Sequence, residues 1–264
     1  MTIIQAIILA VVEGLTEFLP ISSTAHMKLT NPIIGVSSTP FSDMFEIVIQ
    51  LVAILAVVVM YWRKFFDFAR INFYIKLIIA VIPALVFGVL LNKFIEQRLG
   101  NLTFICGVMI GGGILFLFID KLFTKPRIDD ELMVSRKNAF VIGCFQVLSI
   151  VLPGFSRSAA TIIGGMSQKL TRKAAAEFSF FLAVPTMLAA SAKKFWDVRR
   201  EHPDVLNREN FTLLALSSVV CFLVSILVIR YFIGFLQKYG FKPWGYYRII
   251  VGLVMLLLLW RGVI

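Results

Sequence analysis

Glu13-Gly14-Leu15-Thr16-Glu17-Phe18-Leu19-Pro20-Ile21-Ser22-Ser23-Thr24-Ala25-His26 breaks into an apolar stretch that runs over residues 2–27. Its centre is too polar to face lipid, and its flanks are too apolar for a water-exposed loop. A second stretch, 138–166, has the same character and is broken by Gln146, Pro153, Gly154 and Ser156-Arg157-Ser158. At membrane depth, irregular backbone is tolerated only where it is buried in protein or lines a cavity. Each stretch therefore reads as a re-entrant helix–turn–helix. Outward from them lie six uninterrupted apolar runs, at about 45–62, 75–94, 102–120, 173–193, 211–233 and 245–262. Each is close to the ~20 residues that cross a hydrocarbon core. The fold class is an all-α polytopic membrane protein.

Composition agrees. Of 264 residues, 59% are hydrophobic and 16% charged, and the mean hydropathy is +0.90. A soluble domain carries roughly 25% charged residues. The formal charge of +11 sits mainly at the ends of the apolar runs, where membrane proteins keep topology signals. A nucleic-acid binder would gather it on one face, so no nucleic-acid partner is expected. Cys106, Cys144 and Cys221 lie inside apolar runs without metal-ligand spacing and read as free thiols. The N-terminal stretch lacks a basic leading region and runs into Glu13, so it makes a poor signal peptide.

The two broken stretches resemble each other. An offset of 133 residues sets Pro20 on Pro153, Leu19 on Leu152, Ser23 on Ser156 and Glu13 on Gln146. Glu46 and Glu177 then precede apolar stretches that end in Arg63-Lys64-Phe65 and Lys193-Lys194-Phe195. One membrane domain, 1–264, thus divides into repeats over about 1–121 and 137–264, each with one re-entrant hairpin and three spans. Three crossings per half turn the second half upside down, an inverted-topology repeat. With the N-terminus outside, the cytoplasmic segments hold 15 Lys/Arg against 9 outside, in the sense of the positive-inside rule. The outside loop 193–210 is the discordant one, although its acids nearly neutralise it. Arg157 and Arg248 are left inside apolar stretches, and only Arg157 sits in a motif.

Glu13 and Glu17, at i and i+4, share one helix face. Two carboxylates there repel each other and resist desolvation, so one holds a proton or a cation lies between them. Pro20 breaks the helix, and Ser22, Ser23 and Thr24 offer N-cap hydroxyls for a second one. His26, three residues after Ser23, lies on a neighbouring face. Ser23 is a candidate nucleophile and His26 a candidate base or acid beside it; capping alone would also explain the hydroxyls. In the second stretch, Gly154 permits close backbone approach. The helix start at Ser156-Arg157-Ser158-Ala159-Ala160-Thr161 aims free N–H groups at an anion. Arg157 adds a planar donor fork suited to phosphate, and Ser156, Ser158 and Thr161 add hydroxyls. A guanidinium at membrane depth needs an anionic partner: Glu13, Glu17, or a substrate phosphate. Broken helices of inverted repeats meet near the midplane, which would assemble these groups into a site for phosphoryl transfer.

The residues 13–26 and 153–161 quoted above are similar to the two signature motifs of the undecaprenyl-diphosphatase family, the bacitracin-resistance phosphatases. The likeness covers essentially the whole chain, including Phe45-Glu46-Ile47-Val48-Ile49-Gln50. It implies hydrolysis of undecaprenyl diphosphate to undecaprenyl phosphate and inorganic phosphate, on the outer face of the bacterial plasma membrane. That reaction recycles a carrier for cell-wall synthesis. The resemblance further implies a divalent cation, Mg2+ or Ca2+, at Glu13 and Glu17. By the same resemblance Ser23 is the proposed nucleophile, His26 belongs to the site, and Arg157, Ser156 and Thr161 bind the diphosphate. Ala25 and Ala159 stand where the family usually has Gly, adding a methyl beside a phosphate-contacting residue. The expected partners are the lipid substrate and membrane lipids, with a homodimer left open. The alternative function is a lipid-carrier flippase, because inverted repeats with broken midplane helices are a transporter architecture.

Overall fold

The computed structural model describes residues 1–67, 71–205 and 207–263. Twelve α-helices account for most of them, and no strand is present among the described residues beyond an isolated bridge between Ile128 and Leu170. Each stretch expected to be broken is a helical hairpin. The first comprises α1 (Ile3–Thr16) and α2 (Ser23–Ile33), the second α8 (Arg136–Val151) and α9 (Arg157–Ser167). The six helices long and apolar enough to cross a membrane are α3 (Pro40–Met60), α5 (Ile71–Leu90), α7 (Leu102–Leu122), α10 (Arg172–Glu201), α11 (Arg208–Tyr239) and α12 (Lys242–Trp260). They fall on the six apolar runs. Two short helices, α4 (Trp62–Phe65) and α6 (Asn92–Leu99), were not expected.

Capping sets the helix starts. Thr2 and Gln5 form a reciprocal capping box on α1, and Thr39 caps α3 with Pro40 in the first position. Asn101, Ser135, Thr171 and Asn207 cap α7, α8, α10 and α11. The expected outside loop 193–210 is largely helix, since α10 continues to Glu201 and α11 begins at Arg208. Its Lys, Arg, Asp and Glu residues are of mixed sign and include good helix formers, so the helix outlasts the apolar run.

Among the spans, α10 is the least apolar and the most deeply buried. It is the central helix, packing on α3, α9 and α5. It runs antiparallel to α3: Ser191 Oγ donates to Ile47 O (3.4 Å) at one end, and Glu177 meets Lys64 (3.3 Å) at the other. Helix α11 packs on α1 and α3, α5 packs on α8, and α12 packs on α7. Gly143 makes the α5–α8 approach possible, because a Cβ there would lie 2.2 Å from Ala80 O.

Candidate active site

Helix α1 ends at the first turn with Glu17 as its C-cap, the Glu17 N–H still donating to Glu13 O. Both carboxylates are buried, and Glu13 Oε1 has no hydrogen-bond partner. Ser22 caps α2 from a left-handed backbone, φ +71°, and its hydroxyl accepts from Ala25 N (3.3 Å). This strained cap turns the chain so that the next residue, Ser23, faces back to α1. There Ser23 Oγ donates to Glu17 Oε2 at 2.5 Å. Gln50 Nε2, from α3, donates to the same oxygen at 3.2 Å.

The second turn repeats the device. Ser156 caps α9 at φ +82° and accepts from Ala159 N at 3.3 Å. Matched cap on cap, Ser22 falls on Ser156, whereas the 133-residue offset set Ser23 there. The second turn carries one more residue than the first between its acid-position residue and its cap. Gly154, at φ +99°, lies in that turn. A Cβ on it would stand 2.7 Å from Ile105 O. With Ala159 N held by the cap, the N–H groups of Arg157 and Ser158 have no intrahelical acceptor, and the helix dipole favours an anion in front of them.

Three ties join the turns. Arg157 forms a short ion pair with Glu17 Oε1 and also donates to Ser179 O of α10 (3.4 Å), while its Nε has no partner. Ser158 Oγ donates to Leu19 O at 3.0 Å and lies 3.0 Å from Ser156 Oγ. The third tie is Arg248 of α12, which is fully buried. Its five N–H donors are spread over five backbone carbonyls: Met109 (3.2 Å), Pro20 (3.2 Å), Phe155 (2.9 Å), Val108 (3.3 Å) and Gly154 (2.9 Å). The rings of Phe116 and Phe155 lie 4.9 and 5.9 Å from its guanidinium carbon. A charge that would be prohibitive in an apolar core is held there by a complete set of acceptors and two aromatic faces.

The structure thus brings Glu13, Glu17, Ser22, Ser23, Gly154, Ser156, Arg157 and Ser158 to one place. Thr24 lies half-buried on the first turn of α2. Thr161 is fully buried, its hydroxyl 2.9 Å from Arg157 O and 2.6 Å from Ser179 Oγ, so it braces α9 against α10. His26 is not paired with Ser23. Its Nδ1 lies 2.8 Å from Ser22 O and its Nε2 2.8 Å from the Tyr247 hydroxyl. Glu46 accepts from Asn31 (2.7 Å) and pairs with Lys28 (3.2 Å), and Glu177 pairs with Lys64; both have structural partners. Gln50, Tyr247 and Arg248 were absent from the sequence-level site. Arg248 leaves a signal as an unexplained cation inside a span, and Gln50 lies in the 45–50 segment that shares the family likeness; Tyr247 leaves none.

Residues 6–254 match the family model described as bacitracin resistance protein BacA. An undecaprenyl-diphosphatase from Porphyromonas gingivalis is 48% identical over 279 residues, covering 100% of this chain and 99% of the relative. Another, from Flavobacterium psychrophilum, is 48% identical over 98% of this chain and 96% of its own length. One from Campylobacter jejuni is 40% identical over 99% and 96%. With both turns built from the matched region and the likeness running the length of the chain, the protein belongs to the BacA bacitracin-resistance family.

Proposed function

We propose that this chain hydrolyses undecaprenyl diphosphate to undecaprenyl phosphate and inorganic phosphate, with Glu17, Ser23 and Arg157 at the centre of the reaction. One observation carries the residue assignment: Glu17 holds the Ser23 hydroxyl on one oxygen and the Arg157 guanidinium on the other. The relatives named undecaprenyl-diphosphatase supply the substrate.

Glu17 accepts the proton of Ser23 as Oγ attacks the terminal phosphorus. The P–O bond to the lipid-bearing phosphate breaks, and lipid monophosphate leaves. Glu17 passes its proton to the departing phosphate oxygen, then takes one from the water that attacks the phosphoserine and returns it to Oγ as inorganic phosphate leaves. Arg157 and the N–H groups at the start of α9 neutralise the charge on the transferred phosphoryl. The unpartnered Nε of Arg157 is a buried donor waiting for an oxygen. Ser22, Thr24, Gly154 and Ser156 shape the phosphate seat, while Ser158 and Thr161 hold it between Leu19, α9 and α10.

A divalent cation, Mg2+ or Ca2+, fits Glu13 and Glu17. The orphaned buried Glu13 Oε1 is a ligand without a partner. Among the described residues no group of three or more His, Cys, Asp or Glu forms a protein-only site; Mg2+ is held by one or two carboxylates completed by substrate phosphates and water. When bound, the ion supplies charge neutralisation on the diphosphate.

The membrane setting belongs to the same proposal. Antiparallel α3 and α10, and the exchange of partners in which α5 packs on α8 as α11 packs on α1, support an inverted repeat of about 1–121 and 137–264. The Lys/Arg bias supports a site opening to the outer face of the plasma membrane.

The test is phosphate release from undecaprenyl diphosphate by purified protein in detergent. Turnover that stops with chelator and returns with Mg2+ is the expected result. Release no faster than from heat-denatured protein would remove the enzymatic reading, and chelator-insensitive turnover would remove the cation.

A further inference from the structure

His26 and Tyr247 meet across 221 residues of sequence, and neither the Ser23 chemistry nor the phosphate seat uses that meeting. Nδ1 of His26 lies 2.8 Å from Ser22 O. A carbonyl oxygen only accepts, so this contact assigns the ring proton to Nδ1. Nε2 is left with the lone pair and accepts from the Tyr247 hydroxyl at 2.8 Å. The two rings are nearly parallel, 13° apart, with centroids separated by 5.6 Å. They lie offset from one another, so the hydroxyl meets the rim of the imidazole where its lone pair points.

The Nδ1 bond also fixes where His26 can act. Ser22 is the left-handed cap that presents Ser23 to Glu17, and the imidazole braces the carbonyl of that cap. Nδ1 is therefore committed, and Nε2 is the one ring atom able to exchange a proton. It accepts from the Tyr247 hydroxyl of α12.

We propose that Tyr247 is a positioning residue for His26. Its hydroxyl donates to Nε2 and so holds the imidazole in the Nδ1–H form, keeping the ring braced on the carbonyl of the Ser22 cap that presents Ser23 to Glu17. The proposal rests on the phosphatase reading for its kinetic consequence but not for its geometry. A second-sphere partner of this kind selects the histidine tautomer and orients the ring.

The chain has two histidines, His26 and the exposed His202. Nitrogen-15 histidine labelling therefore gives two imidazole patterns, and His202→Gln assigns them. In the unaltered protein His26 is expected as the Nδ1–H form with a hydrogen-bonded Nε2. In Tyr247→Phe the Nε2 resonance should move to that of an unbonded lone pair. With undecaprenyl diphosphate in detergent, kcat should fall about fivefold, the equivalent of one net hydrogen bond, with KM within twofold. Tyr246→Phe, altered at a side chain 58% exposed, should match the unaltered protein in both readouts. An unchanged His26 spectrum in Tyr247→Phe overturns the proposal, and so does a shifted spectrum with unchanged kcat. If even the unaltered protein releases no phosphate, the phosphatase reading fails, and the spectrum alone decides what Tyr247 holds.

Discussion

Glu17 holds groups of opposite character, the Ser23 hydroxyl and the Arg157 guanidinium; in the proposed reaction it deprotonates the first and shares the second with the substrate. Its replacement by Gln keeps the shape and removes the base. Glu17→Gln is therefore expected to lower kcat by about 10²–10⁴-fold while the protein still purifies as a folded species. Ser23→Ala should lose as much, and acid quenching of the unaltered enzyme during turnover should trap phosphate on Ser23. Ser23→Ala turnover within tenfold of normal would instead assign the attack to water. The charged members of this site were legible in the sequence because Glu13, Glu17 and Arg157 have no inexpensive place in an apolar stretch. Tyr247 was not legible, and Gln50 was marked only by the 45–50 segment of the family likeness, since an uncharged polar side chain in a span is tolerated in many settings. The pairing of Ser23 with Glu17, rather than His26, was hidden for another reason. It depends on the left-handed φ of Ser22, and helical spacing presumes regular backbone on both sides of the turn.

At the level of the element, each hairpin consists of two short helices whose second member begins at a left-handed serine. The second turn also needs Gly154, at positive φ and in close approach to Ile105 O. Gly154→Ala forces the chain to relinquish one or the other. It is expected to destabilise the protein by about 2 kcal/mol or more, seen as earlier thermal unfolding in detergent, and to slow phosphate release because the start of α9 moves. Unchanged unfolding and rate would mean that the turn relaxes freely. The existence and order of hairpins and spans followed from hydropathy alone. Their lengths did not: α10 and α11 run 30 and 32 residues, because helix propensity and capping, unlike hydrophobicity, do not stop at the membrane surface. The register between the two turns slipped for a similar reason, since a single added turn residue leaves the motif recognisable and shifts the caps.

Across the whole molecule, the site is not the sole place where buried charge is paired: a cluster at the far end of α3 joins three further segments. There Lys64 donates to Glu131 (2.6 Å) and Glu177 (3.3 Å), linking α4, the turn at Glu131–Met133 and α10. Burial pushes the Glu131 carboxyl up, but the Lys64 ammonium that donates to it holds Glu131 below its ordinary range. A carboxylate depressed in the folded state contributes stability above its unfolded pKa, about 4.3, and loses it as pH falls through the folded value. Thermal stability in detergent should therefore decline below about pH 4, and Glu131→Gln should flatten that decline while lowering stability at neutral pH. An identical acid limb in the variant would show that Glu131 does not carry it. No periodicity or motif announced this cluster, because its members lie 67 and 113 residues apart in sequence. The same kind of separation gives Arg248 a role in time as well as in space. Its acceptors Pro20 and Phe155 lie 228 and 93 residues earlier, so a ribosome delivers both turns to the membrane long before the guanidinium that joins them. Until α12 arrives, carbonyls of both turns lack their donor, and the Arg248 guanidinium gains its full set of acceptors only once those carbonyls are in place. The docking of this helix thereby draws on both turns and on α7, all made before it.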